Sequence, residues 1–149
     1  MLLISGGTSG LEQHLARQPL ADLFLDTFPY TAHTTASDAL RSGLPIVTRM
    51  GLNFASRVAG SLLNAAGVPE CIVNSEQDYV DFAVDLACNP VKIAAIKAKL
   101  QCGLSTCRLF DAERYVRNLE QGMFEIWQNH RNGFPPAHRY VQNVAHASG

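Results

Sequence analysis

The stretch from Leu20 to Thr48, LADLFLDTFPYTAHTTASDALRSGLPIVT, constrains the fold more than any other part of the chain. A short apolar run, Leu23-Phe24-Leu25, ends in Asp26. A turn containing Pro29 follows, and His33, Thr34 and Thr35 then lead into a helical segment that stops near Gly43. Pro45 opens a second apolar run at Ile46 and Val47. Two short strands joined by one helix form a crossover unit, and such a unit belongs to a parallel sheet. The polar cluster falls where strand gives way to helix. Open α/β sheets bind ligands there, and the free N–H groups and macrodipole of a helix start favour anions.

The alternation extends on both sides. Leu2–Ile4 is an expected strand, and Ser5 to Gly10 (SGGTSG) is a turn-forming, glycine-rich stretch. It tempts a phosphate-loop reading but matches neither G-x-G-x-x-G nor G-x-x-x-x-G-K-[ST]. Leu11 to Gln18 reads as a short helix with His14 and Arg17 on one face, ended by Pro19. After Thr48, Asn53 is a candidate cap for a helix over Phe54–Ala66, with Gly67 at its C-terminal turn. Cys71–Val73 is a short buried-type strand. Ser75 with Asp78 three residues on resembles a capping box, and opens a helix to about Cys88 with Tyr79, Phe82, Ala83 and Leu86 on its core face. Asn89-Pro90 starts another helix over Val91 to about Leu100. Asp111 caps a last one running through about Arg131, whose apolar positions recur at three and four. The expected class is therefore α/β: a Rossmann-like parallel sheet with flanking helices and a helical C-terminal part. With strands at Leu2–Ile4, Asp22–Asp26, Pro45–Thr48 and Cys71–Val73, the chain reads as the later part of such a domain with its first strands missing. Residues 1–136 form the expected domain and 137–149 a flexible tail.

Composition excludes several classes. The chain has 149 residues, 12 basic and 13 acidic, so no cationic excess points to nucleic acid or an anionic membrane surface. No apolar run approaches the roughly 20 residues needed to cross a bilayer. The N-terminus lacks the basic start of a signal peptide, so a cytoplasmic protein is expected. Cys71, Cys88, Cys102 and Cys107 form no C-x-x-C pair and read as free thiols in a reducing compartment.

The run D-T-x-x-Y-x-A-H-T-T-x-S-D-A-L-x-x-G-L-P, here Asp26 to Pro45, closely resembles the C-terminal catalytic lobe of the O-GlcNAc transferase and SPINDLY family. The resemblance continues in Ala55-Ser56-Arg57-Val58-Ala59, in Tyr79, Ala83 and Leu86, and in Tyr115, Leu119, Glu120, Met123 and Trp127. It implies an incomplete C-terminal lobe of a GT-B fold and an inverting transferase that moves N-acetylglucosamine from UDP-GlcNAc to Ser or Thr hydroxyls of proteins. SPINDLY members use GDP-fucose. It further implies that His33, Thr34 and Thr35 meet the diphosphate, that Asp38 meets the ribose, and that His14 and Arg17 lie beside the base. The donor is then the only small molecule required, with no cofactor or metal. Acceptor proteins would be recruited through tetratricopeptide repeats, and an N-terminal GT-B lobe is required; neither is in this chain, so the fragment is expected to be inactive alone. Leu11 stands where eukaryotic members carry a lysine, and a phosphate-binding lysine expected upstream is also missing.

Each of these residues has a plainer reading. His33 suits a buried histidine satisfied by the backbone. Thr34 and Thr35 suit helix caps, Asp38 a favourable charge in a first turn, and His14 with Arg17 a solvated face. Asp26 suits an acceptor for loop amides, Arg57 packing or a salt bridge, Trp127 a core position and Gly43 a helix C-terminus. Two other functions stay open: a truncated, non-catalytic docking or degenerate module, and a GT-B transferase using another nucleotide sugar. A sheet without its early strands exposes apolar edge and face, so the isolated chain is expected to self-associate.

Overall fold

The structure is a computed structural model and describes residues 10–141. The expected strand at Leu2–Ile4, most of the SGGTSG stretch, and residues 142–149 of the expected tail lie outside the described residues. The chain divides into two compact units, Met1–Leu109 and Phe110–Gly149.

The first unit follows the alternation read from the sequence. Helix α1 (Leu11–Arg17) passes through a tight helical turn at Gln18–Leu20 into strand β1 (Phe24–Leu25). Helix α2 (Thr34–Arg41), strand β2 (Ile46–Arg49), helix α3 (Val58–Ala66) and strand β3 (Ile72–Val73) come next. The three strands form one parallel sheet in the order β1-β2-β3, with Phe24 opposite Ile46 and Thr48 opposite Ile72. Strands β1 and β3 are shorter than the sequence implies, whereas β2 keeps its four residues and is shifted by one. The backbone N–H of Phe24 donates to the Pro45 carbonyl and that of Asp26 to Val47, so the ladder's bonds reach a residue further, to Asp26.

The central strand makes the core. Ile46, Val47 and Thr48 are fully buried, because a parallel strand covered on both faces has no solvent side. Helix α2 turns Ala36, Ala39 and Leu40 inward, and α3 turns Ala59, Leu63 and Ala66. These two helices touch each other and both touch β2. Leu40, Ile46 and Leu63 are each fully buried, which stabilises by roughly 1.5–3 kcal/mol per side chain. Gly43 and Gly67 follow α2 and α3 with φ of 75° and 84°. That left-handed conformation closes a helix and is strained for residues with a Cβ.

Helices α4 (Glu76–Cys88) and α5 (Pro90–Gly103) complete this unit. Ser75 caps as expected, but without the reciprocal bond of a full capping box, since the Asp78 carboxylate takes the Ser75 hydroxyl and not its backbone N–H. Ser75 accepts from the Asp78 N–H at 3.0 Å and its hydroxyl meets the Asp78 carboxylate at 2.6 Å. Asn89 accepts from the Lys92 N–H at 3.1 Å, with Pro90 at the first helical position. Asn53 also caps as expected, accepting from the Ser56 N–H at 2.9 Å. It caps a separate 3-10 turn, Phe54–Ser56, so α3 begins four residues later than the sequence pattern implies. Leu86 is buried and Tyr79, Phe82 and Ala83 are half-buried, as their spacing requires.

The second unit is built on helix α6 (Ala112–Arg131), capped by Asp111, which accepts from the Arg114 N–H at 2.9 Å. Its helix buries none of its residues. Trp127, expected in a core, is instead 50% exposed; it stacks on Phe124 with ring centroids 6.0 Å apart and carries the Arg131 guanidinium at 4.9 Å.

Candidate functional site

The site forms where β1 ends and α2 begins. Helix α2 starts at Thr34 with His33 as N-cap, and no side chain caps its first turn. The Thr34 and Thr35 side chains are exposed, and neither hydroxyl has a partner among the described residues. The expectation that these threonines act as caps is therefore not met. A first turn with uncapped N–H groups and two free hydroxyls is an array of donors facing solvent.

His33 is half-buried rather than enclosed. Its Nε2 lies 3.5 Å from the Ala55 carbonyl, a contact at the limit of hydrogen bonding, so the reading of a histidine fully satisfied by backbone is met only weakly. Tyr30 stacks on its ring at 4.9 Å and 20°, and Phe54 presents an edge at 6.0 Å. Tyr30 and Phe54 are 63% and 81% exposed, so the histidine stands between two aromatic rings open to solvent.

Asp38 lies one turn along α2, and His14 of α1 faces it: His14 Nε2 is 3.7 Å from Asp38 Oδ2. Arg17 bonds His14 Nδ1 at 2.9 Å, and the Gln18 amide bonds His14 Nε2 at 3.2 Å. A guanidinium only donates, so Nδ1 accepts and the ring hydrogen sits on Nε2, toward Asp38 and Gln18. Gln18 must then present its oxygen, since amide nitrogen and oxygen are assigned by the network. His14, Arg17 and Asp38 thus form one cluster, held by Gln18, which is 8% exposed. The plainer reading of His14 and Arg17 as a solvated face does not describe it.

Asp26 does what its plainer reading proposed. Its carboxylate accepts from the loop amides of Thr27 at 2.9 Å and Ala32 at 2.7 Å. Arg57 was expected to pack or to form a salt bridge; its guanidinium has no partner among the described residues. It lines a cleft of about 450 Å³ together with Met50, Phe54, Val58 and Ser61. Phe54 is thus shared between this cleft and the His33 ring stack. Gln18 was within reach of sequence reasoning, four residues after His14 on a helical spacing. Phe54 was not, since no local pattern ties it to His33. Among the described residues, no group of three His, Cys, Asp or Glu side chains is placed to hold a metal, and no helix is long and apolar enough to cross a membrane.

A parallel sheet with a donor-rich helix start at the carboxyl end of its strands defines a class, the Rossmann-like folds that take anionic ligands in that crevice. Comparison with known proteins narrows it. The family model for glycosyl transferase family 41 matches residues 2–119. A probable UDP-N-acetylglucosamine–peptide N-acetylglucosaminyltransferase SEC from Arabidopsis thaliana is 42% identical over 127 residues, 85% of this chain and 13% of that protein. The UDP-N-acetylglucosamine–peptide N-acetylglucosaminyltransferase of Caenorhabditis elegans is 35% identical over 136 residues, 91% of this chain and 12% of that protein. A solved lysine-to-methionine mutant of the Thermobaculum terrenum O-GlcNAc transferase superposes with a TM-score of 0.77 at 30% identity, covering 81% of this chain and 23% of that one. The chain belongs to glycosyl transferase family 41, and its sheet and flanking helices are part of a Rossmann-like lobe of the GT-B fold. It spans about an eighth of the length of the two curated relatives.

Proposed function

We propose that this chain is the donor-binding part of a protein O-GlcNAc transferase, which transfers N-acetylglucosamine from UDP-GlcNAc to Ser or Thr hydroxyls of proteins with inversion. The observation that carries the proposal is the uncapped start of α2, with the Thr34 and Thr35 hydroxyls unpartnered beside His33. A departing nucleoside diphosphate gains negative charge. N–H and O–H donors already fixed in direction stabilise that charge without reorganising. In this reading Thr34, Thr35 and His33 meet the diphosphate, Asp38 accepts from the ribose hydroxyls, and His14 and Arg17 border the base. The 3.7 Å between His14 and Asp38 suits a base and its ribose side by side. The donors replace a metal in this scheme, and no cofactor is called for.

The acceptor-activating groups lie on an N-terminal lobe outside this chain, and the acceptor is brought by tetratricopeptide repeats, so the fragment does not turn over alone. A cytoplasmic setting is supported by the four free cysteines, Cys71, Cys88, Cys102 and Cys107. Titration calorimetry with UDP, GDP and ADP tests the reading. UDP is expected to bind tightest. No heat with any of them at millimolar nucleotide sinks the proposal. Tighter binding of GDP replaces it by a transferase using another nucleotide sugar.

A further inference from the structure

Asp26 is a carboxylate that the scheme above leaves without a part. It is 4% exposed and pairs with no cation among the described residues. A buried charge of this kind is retained only where strong donors compensate it. Asp26 has three. Oδ1 accepts from the N–H of Thr27 at 2.9 Å and of Ala32 at 2.7 Å, and Oδ2 accepts from the Thr48 hydroxyl at 2.6 Å. Its main chain is held too: its N–H donates to Val47 at 3.1 Å, and its carbonyl accepts from the Tyr79 hydroxyl at 2.8 Å.

These bonds have a direction. Thr48 is itself fully buried, on the central strand, which is paired along both edges. Through Asp26 that strand reaches the amide of Ala32, the residue directly before His33. One position earlier, Thr31 is fully buried and both its N–H and its hydroxyl donate to the Ala55 carbonyl, at 3.0 and 2.7 Å. The two residues ahead of the helix start are therefore pinned from two sides, one pin on the sheet and one on the turn leading into α3. Nothing else among the described residues caps that helix start. The burial of Ala36, Ala39 and Leu40 holds the body of the helix, and these two pins hold the turn that opens it.

We infer that Asp26 is the positioning residue for the diphosphate end of the site: its carboxylate keys the His33-Thr34-Thr35 turn to the central strand, so that the donors face a phosphate before it arrives. The inference rests on the nucleotide-binding reading above. It also divides the site in two. The base end, at His14, Arg17 and Gln18, is built on α1 and the turn after it, and takes no bond from Asp26. Loosening the Asp26 closure should weaken ligands that carry the diphosphate more than those that lack it, since Thr34 and Thr35 stand at the turn itself and Asp38 a turn beyond it.

The experiment compares UDP with uridine on the wild-type chain, Asp26→Ala, Asp26→Asn and Thr48→Val. Asp26→Asn keeps one oxygen for the two amides, and the Thr48 hydroxyl can turn to accept from the new amide. It is expected to hold UDP within about threefold of wild type, whereas Asp26→Ala loses about tenfold or more, the scale of forfeited bonds to a charged group. Thr48→Val, which removes only the bond to Oδ2, should fall between them. Uridine, whose ribose meets Asp38 further along the same helix, should lose less than UDP in all three. Equal losses for UDP and uridine would overturn the inference, since they would report general loosening of the fold. So would wild-type UDP affinity in Asp26→Ala. Should Asp26→Ala not fold, Thr48→Val decides the matter by the same UDP-to-uridine ratio. Absence of UDP binding by the wild-type chain counts against the nucleotide reading itself.

Discussion

Replacing both threonines of the α2 start separates a binding role from a structural one, because the two give different outcomes. In Thr34→Ala with Thr35→Ala, the folded state loses no internal hydrogen bond, since neither hydroxyl has a partner among the described residues. Both side chains are exposed, and exposed substitutions of this kind shift stability by no more than about 0.5 kcal/mol. The urea midpoint should therefore stay where it is. Binding should not. A hydrogen bond to a charged group contributes about 1.5–3 kcal/mol, and tenfold in affinity corresponds to about 1.4 kcal/mol. Each hydroxyl is thus expected to account for roughly tenfold to a hundredfold in UDP affinity. Neighbouring positions do not add simply, so the double variant is held to the lower figure, a loss of at least about tenfold. Calorimetry with UDP, paired with urea unfolding of the same samples, makes the measurement, and Thr34→Ser with Thr35→Ser should restore affinity. Unchanged UDP affinity in the alanine variant refutes the reasoning. A loss of affinity matched by a loss of stability refutes it as well, because the hydroxyls would then be holding the fold.

Leu40→Ala empties a fully buried position where α2 meets the core and should destabilise by about 2–5 kcal/mol, read as a lower urea midpoint. Burial, and then the neighbouring charge of Asp26, raise the Tyr79 hydroxyl from 10.0 to about 12; burial likewise raises the Cys71 thiol from 9.0 to about 12. In both cases the unfolded chain ionises first, so the stabilisation is complete below about pH 9 and is lost as pH climbs toward 12. Urea midpoints measured across that range should fall, and phenolate absorbance of the native chain should show one tyrosine titrating late. Alkylation followed by mass spectrometry should label exposed Cys88 and Cys102 first, half-buried Cys107 more slowly, and buried Cys71 only on unfolding.

The local grammar of the chain was legible from the residues alone. Asn53, Ser75 and Asp111 cap as the sequence implies, because a cap is a bond between residues two or three apart. Gly43 and Gly67 end helices for a reason carried by each glycine itself. The strand–helix alternation, and hence the parallel sheet, followed from the lengths and periods of apolar runs. The placement of His33-Thr34-Thr35 at a helix start followed from the same pattern.

What the tertiary structure decided is everything that depends on distance in space rather than in sequence. His14 meets Asp38 across two helices. Tyr79 reaches the Asp26 carbonyl from 53 residues away, and Phe54 edges His33 from a turn after the next strand. Such pairings arise only once the sheet fixes where each loop emerges, and no local period encodes them. The exposure of Trp127 belongs here too: an apolar stripe at helical spacing specifies a face, but only packing decides whether that face is covered. The sequence alone thus settled that a donor-rich turn follows β1, since propensity and capping act over a few residues. The sheet and the buried carboxylate of Asp26 settled where that turn points, since orientation is a property of the packed core.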